Sequence, residues 1–175
     1  MKKFSTKKLV TIALMITIEI ILTRFLSIQT PFFRLSFGFI PVVIVAIMYG
    51  PLFAGVGSVI ADFIGIMLFP IVGAYFPGFT LTAFLAGLVY GIFLYNRKKN
   101  LWQIVAAAFI VTVILQLGLD TLWLQMITGQ GYLALLPVRV LRTLIMLPLQ
   151  VICIQVIVRM LPRYIMGDGE TGRVE

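Results

Sequence analysis

Between Leu52 and Tyr90 the chain carries a single charged residue, Asp62, within a glycine-marked apolar run (Gly55, Gly57, Gly65). A loop follows, Gly73-Ala74-Tyr75-Phe76-Pro77-Gly78, and then a second apolar run with Gly87 and Gly91. So long an apolar stretch has one stable solution. Hydrocarbon offers no water to backbone N–H and C=O groups, so the stretch must form helices, and its non-helical turn must sit at a membrane edge or line a cavity. Two membrane helices joined by an outward-facing aromatic turn are the expectation, and a carboxylate between them must face a partner or a protein-lined cavity.

The rest of the 175 residues agrees: 61% are hydrophobic, 11% are charged and the mean hydropathy is +1.11. No soluble domain has that balance. At roughly 20 apolar residues per span the length accommodates six transmembrane helices in an all-α integral membrane protein. Residues 1–166 form one transmembrane domain, and 167–175 form a polar tail. The first apolar run follows Lys2, Lys3, Lys7 and Lys8 and continues to about Leu22 without a small-residue cleavage site, so it is expected to remain as helix 1.

A net charge of +8 in a soluble protein would point to nucleic acid, but the placement of the charges argues otherwise. Lys2, Lys3, Lys7 and Lys8 precede helix 1, Arg97, Lys98 and Lys99 form one loop, and Arg159, Arg163 and Arg173 follow the last span. Six spans put all three clusters on one side, which the positive-inside rule makes cytoplasmic, together with both termini.

Read in order, helix 1 covers about Lys8 to Phe25, with Ala13 and Thr17 four apart as a small-residue face on which another helix can dock. Glu19 lies deep in it, as a carboxyl bonded to a neighbouring helix or as a ligand group. Arg24 and Arg34 flank the first outer loop, either snorkelling to headgroups or capturing an anion. Helix 2 runs from about Gly38 to Met48, and Tyr49-Gly50-Pro51 turns into helix 3, which extends to about Phe69. Helix 4 covers about Phe79 to Tyr95.

Helix 5, about Leu101 to Leu124, places Gln116, Asp120 and Trp123 on one face near its outer end, as a cavity lining or as interhelical glue. Helix 6 opens around Pro137, a residue suited to a first helical turn. Arg139 and Arg142 follow on one face in its outer half, for anion binding or for pairing with Asp62, Asp120 or Glu19.

Several chemistries are absent. There is no histidine, and Cys153 is alone, so histidine acid-base catalysis and cysteine or histidine metal clusters are excluded. No nucleotide-binding loop or nucleophile elbow occurs. No metal, no cofactor and no catalytic residue is expected. A chain this small without a nucleotide site reads as the binding part of a transporter.

The run Phe39-Ile40-Pro41, the turn Tyr49-Gly50-Pro51-Leu52 with Gly55, the segment Asp62-Phe63-Ile64-Gly65 and above all Tyr75-Phe76-Pro77-Gly78-Phe79-Thr80-Leu81-Thr82-Ala83-Phe84-Leu85-Ala86-Gly87-Leu88-Val89-Tyr90-Gly91 carry a resemblance. They resemble the substrate-binding S components of energy-coupling factor (ECF) vitamin transporters, and among these the folate-specific FolT subfamily. The resemblance spans helix 1 to helix 6. It implies a six-helix S component in a bacterial plasma membrane, with a pocket on the extracellular side. It also implies assembly with a transmembrane coupling subunit (T component) and two ATP-binding subunits that hydrolyse ATP. A small-residue face on helix 1 would contact the coupling subunit; Ala13 fits that pattern, and Thr17 stands where an alanine is usual.

Folate suits the inventory. Arginines clamp its dianionic glutamate tail, which assigns the tail to some of Arg24, Arg34, Arg139 and Arg142. Aromatic groups stack on its pterin ring, for which Phe37, Tyr75, Phe76 and Trp123 are available. Asp120 or Gln116 would read the ring edge, while Asp62 and Glu19 serve as structural polar groups. Competing readings are an S component for pantothenate, thiamine or a queuosine precursor, a small membrane enzyme acting on an anionic lipid, and a structural membrane subunit.

Overall fold

The computed structural model describes residues 6–29, 34–68, 76–96, 100–129 and 131–161. The polar tail lies outside the described residues. Among the described residues the chain forms six helical rods: α1 (Thr6–Arg24), α2 (Phe39–Tyr49), α3 (Pro51–Leu68), α4 (Pro77–Leu94), α5 (Leu101–Thr128) and α6 (Tyr132–Met160). Between α1 and α2 the chain makes a minimal antiparallel ladder, β1 (Ile28–Gln29) against β2 (Arg34–Leu35), pairing Ile28 with Leu35 and Gln29 with Arg34.

Helices α3, α4, α5 and α6 are long and apolar enough to cross a membrane. Helix α1 has the length, 19 residues, and carries Lys7, Lys8, Glu19 and Arg24 along it. Helix α2 has 11 residues, which at 1.5 Å per residue rise only about 16 Å, too short to cross a bilayer core alone.

The close approach of α3 and α4 depends on glycine. A Cβ on Gly87 would lie 2.7 Å from the backbone of Ala54 and Gly55, and one on Gly91 would run into the Pro51 backbone. Small residues at these crossings let two helices gain van der Waals contact in a solvent where apolar burial alone drives nothing. Gly50 makes the one-residue joint between α2 and α3 at φ +91°, a conformation that side chains resist. Val43, Ala46, Ala54, Tyr90, Leu94, Ile104, Ala107, Ala108 and Ile154 fill the core. In contrast, Leu9, Val10, Leu52, Met67, Trp102, Leu133, Leu141 and Leu144 point outward. An apolar perimeter around a small-residue core is the arrangement of a protein solvated by lipid.

Two helix boundaries and one helix interior differ from expectation. Helix α6 begins at Tyr132 with Pro137 and Pro148 inside it, rather than opening at Pro137. Pro137 is the sixth residue of α6, beyond the four N–H groups that lack an intrahelical partner, so it and Pro148 each give up a backbone bond of the helix. Helix α5 runs on past Leu124 to Thr128 and stops at Gly129, at φ +68°. Its middle, Ile110–Leu119, is a π-helix rather than the plain α-helix the apolar pattern suggested. There the Asp120 N–H reaches back five residues to the Leu115 carbonyl.

Candidate binding site

The antiparallel run of helices brings the C-terminal parts of α1, α3 and α5 together with the N-terminal parts of α4 and α6. The charged side chains Arg24, Asp62, Asp120, Arg139 and Arg142 all lie at this end. Lys7, Lys8 and Arg159 lie at the other.

Two clusters form there, on either side of the first turns of α4. On one side, Arg24 Nη2 sits 3.8 Å from Asp62 Oδ1 and donates to the Asp62 carbonyl at 3.5 Å. Asp62 Oδ2 accepts from the Thr80 hydroxyl at 2.8 Å. The guanidinium is seated on bare backbone: a Cβ on Gly65 would lie 2.8 Å from Arg24 Nε. Desolvated, the pair ties α1 to α3, and Thr80 extends the tie to α4.

On the other side, Trp123 Nε1 donates to the Thr82 hydroxyl at 3.1 Å, and the indole centroid lies 5.5 Å from that of Phe76. Phe76 in turn meets Phe79 edge-on at 6.4 Å. The Gly78 backbone lies beneath this group, where a Cβ would come within 2.5 Å of the indole and 2.6 Å of the Phe76 ring. Asp120 lies one turn before Trp123, beside the Thr82 hydroxyl and in the field of Arg142 and Arg139. Arg139, 7% exposed, donates through Nη1 to the Thr121 hydroxyl at 3.3 Å and to the Gln116 carbonyl at 3.4 Å.

Three charged-group atoms remain over: Asp120 Oδ1, Arg139 Nε and Arg142 Nε are buried without a hydrogen-bond partner. Buried polar atoms are normally satisfied, because leaving one bare costs about 1–3 kcal/mol and more when it is charged. Two guanidiniums against one carboxylate leave one positive charge, beside an aromatic pair. Chemically, the arrangement suits a flat ring with hydrogen-bonding edges attached to an anion.

The structure thus gathers Phe76, Asp120, Trp123, Arg139 and Arg142 into one cluster, with the backbone of Gln116 rather than its side chain supplying a contact. Arg24 is engaged by Asp62 in the neighbouring cluster. Phe37, between β2 and α2, is exposed, and its ring lies 6.5 Å from that of Phe39. Arg34 belongs to β2, with its side chain outside the described part, and Tyr75 lies outside the described residues altogether. Glu19 is partly buried on α1. Ala13 and Thr17 are exposed on α1, where the Thr17 hydroxyl donates to the Ala13 carbonyl at 3.0 Å. Thr80, Thr82 and Thr121 went unnoticed in the sequence, since a threonine in an apolar helix ordinarily bonds the carbonyl four residues back and does nothing more.

Residues 7–158 match the family described as "ECF transporter, substrate-specific component". The chain belongs to this family. It is therefore a membrane protein and the substrate-specific part of a transporter. It is 46% identical over 154 residues to the folate transporter FolT of Clostridium novyi (strain NT), covering 88% of each chain. It is 32% identical over 155 residues to the folate transporter FolT of Leuconostoc mesenteroides, covering 85% of this chain and 83% of the relative. Among solved structures it is similar to FolT bound with folic acid, with a TM-score of 0.85 and 36% identity over 92% of this chain and 96% of the other. The resemblance seen in the motif from Tyr75 to Gly91 thus extends through the whole bundle, and its all-α, six-helix architecture is that of an S component.

Proposed function

We propose that the chain is the folate-binding S component of an ECF-type vitamin uptake transporter in a bacterial plasma membrane. It captures folate from outside and releases it inwards in concert with an ATP-driven coupling module. The observation that carries this reading is the pair of guanidiniums, Arg139 and Arg142, left with buried unpartnered Nε atoms beside the Phe76–Trp123 ring pair. Folate joins a planar pterin to a dianionic tail. The tail would replace the missing hydrogen-bond acceptors, the ring would lie against the aromatic pair, and Asp120 would accept from N–H groups at the ring edge. Arg34, Phe37 and Tyr75, on the segments adjoining this end, would cover the ligand. Arg24, Asp62 and Thr80 would hold the walls.

The partners proposed with it are a T component and two ATP-hydrolysing subunits, with α1 docking through its Ala13 and Thr17 face; membership of the ECF family supports this reading. Both termini and the basic clusters at the opposite end would face the cytoplasm.

The test is a tryptophan-fluorescence titration of the detergent-purified protein. Trp123 would report the ligand directly, and Trp102, 79% exposed, serves as a distant reference. Saturable quenching by submicromolar folate, with no response to thiamine or pantothenate, is the expected outcome. A saturable response to either control with none to folate would reject folate as the substrate.

A further inference from the structure

Thr82 is buried on α4, 5% exposed, and its hydroxyl has one partner on each side. The Trp123 indole N–H donates to its oxygen at 3.1 Å. Its own proton goes to the Gly78 carbonyl, one turn back on the same helix, at 3.1 Å. A hydroxyl donates once and accepts twice, so the bond to the α4 backbone fixes the oxygen that receives the indole.

The consequence is geometric. The hydroxyl ties α4 to α5, accepting from Trp123 and donating to the Gly78 carbonyl. The indole rests against bare backbone at Gly78 and against Phe76, so the hydrogen bond to Thr82 fixes the remaining freedom of its ring. We infer that Thr82 is the positioning residue of the ring-binding half of the site, its single hydroxyl, held by the α4 backbone, setting the plane of the Trp123 ring against which a flat ligand would lie. This deepens the folate-binding reading and rests on it.

The measurement uses the full-length protein with Trp102→Phe as the background, so that Trp123 alone reports. Thr82→Val keeps the shape and removes the hydroxyl; Thr82→Ser keeps the hydroxyl and removes a methyl. In the ligand-free protein, the indole N–H hydrogen-bond marker of the ultraviolet resonance Raman spectrum is expected to shift to its unbonded position in Thr82→Val and to stay in place in Thr82→Ser. The folate Kd is expected to rise about tenfold or more in Thr82→Val, about 1.4 kcal/mol, and to remain within about threefold in Thr82→Ser. A merely structural threonine would move neither the marker nor the valine-serine contrast.

An unshifted marker in Thr82→Val overturns the inference, and so does a shifted marker with unchanged folate affinity. Equal losses of affinity in the valine and serine variants also overturn it, by assigning the effect to packing. Background protein that shows the bonded marker and binds no folate would refute the folate reading. The marker alone would still decide whether Thr82 holds Trp123.

Discussion

Arg142→Gln is the perturbation that most directly tests how the site meets an anion. Arg142 lies one turn beyond Arg139 on α6, in the field of Asp120, with Nε buried and unpartnered. Glutamine preserves much of the length and polarity while removing the charge and the fork of donors. If Arg142 grips the glutamate tail of folate, the loss is one charge-assisted hydrogen bond, about 1.5–3 kcal/mol, or about 10- to 150-fold in Kd. The same substitution also deprives Asp120 of a neighbouring positive charge, and that effect reaches any ligand read by Asp120. The two contributions separate when the ligand is truncated.

Calorimetric titration of wild type and Arg142→Gln with folate and with 6-hydroxymethylpterin, a neutral pterin without the tail, closes a cycle of the double-mutant kind. A tail clamp predicts the full loss for folate and a loss within about threefold for the pterin, a coupling of at least about 1 kcal/mol. Equal losses for both ligands would refute the clamp and reassign Arg142 to the support of Asp120. No loss for either would remove Arg142 from the site.

Other outcomes follow from the same geometry. Gly87→Ala forces a methyl to within 2.7 Å of the α3 backbone, so overpacking of about 1–3 kcal/mol should lower the melting temperature in detergent by at least about 2 °C; an unchanged melting curve would refute the tight α3–α4 crossing. Asp62→Asn removes the anion facing Arg24 at 3.8 Å but keeps the carbonyl that also bonds Arg24, and weakening this partly exposed pair should destabilise the protein by about 1–3 kcal/mol, read as a lower thermal midpoint; wild-type stability would mean that Arg24 is held by other groups. Ala13→Leu on the exposed face of α1 should leave folate affinity unchanged while preventing co-purification with the coupling module, and normal assembly would reject that docking face.

Helix number, helix order and the separation of the chain into a basic end and a polar end were legible because each depends on one-dimensional information. Hydrocarbon forces the backbone into helices wherever apolar runs are long enough, and six alternating helices then settle which ends meet. On that basis Arg139, Arg142, Asp120 and Trp123 belong together before any contact is known, although they come from different helices.

What remained hidden depends on distances between helices. Gln116 was expected to offer its amide, yet its carbonyl meets Arg139, where α5 widens into a π-helix; no residue pattern announces that widening. Arg24 and Arg139 look alike in sequence, but only Arg24 finds Asp62, because Gly65 leaves room for its guanidinium. Thr82 is an ordinary threonine until α5 brings an indole to its hydroxyl. By itself the sequence determined a lipid-solvated six-helix bundle with its buried charges gathered towards one end, because the solvent and the alternation of helices leave no other arrangement. Which arginine pairs, which aromatic is held and which hydroxyl holds it were decided only by the tertiary structure, since hydrogen bonds form over about 3 Å and the helix packing sets those distances.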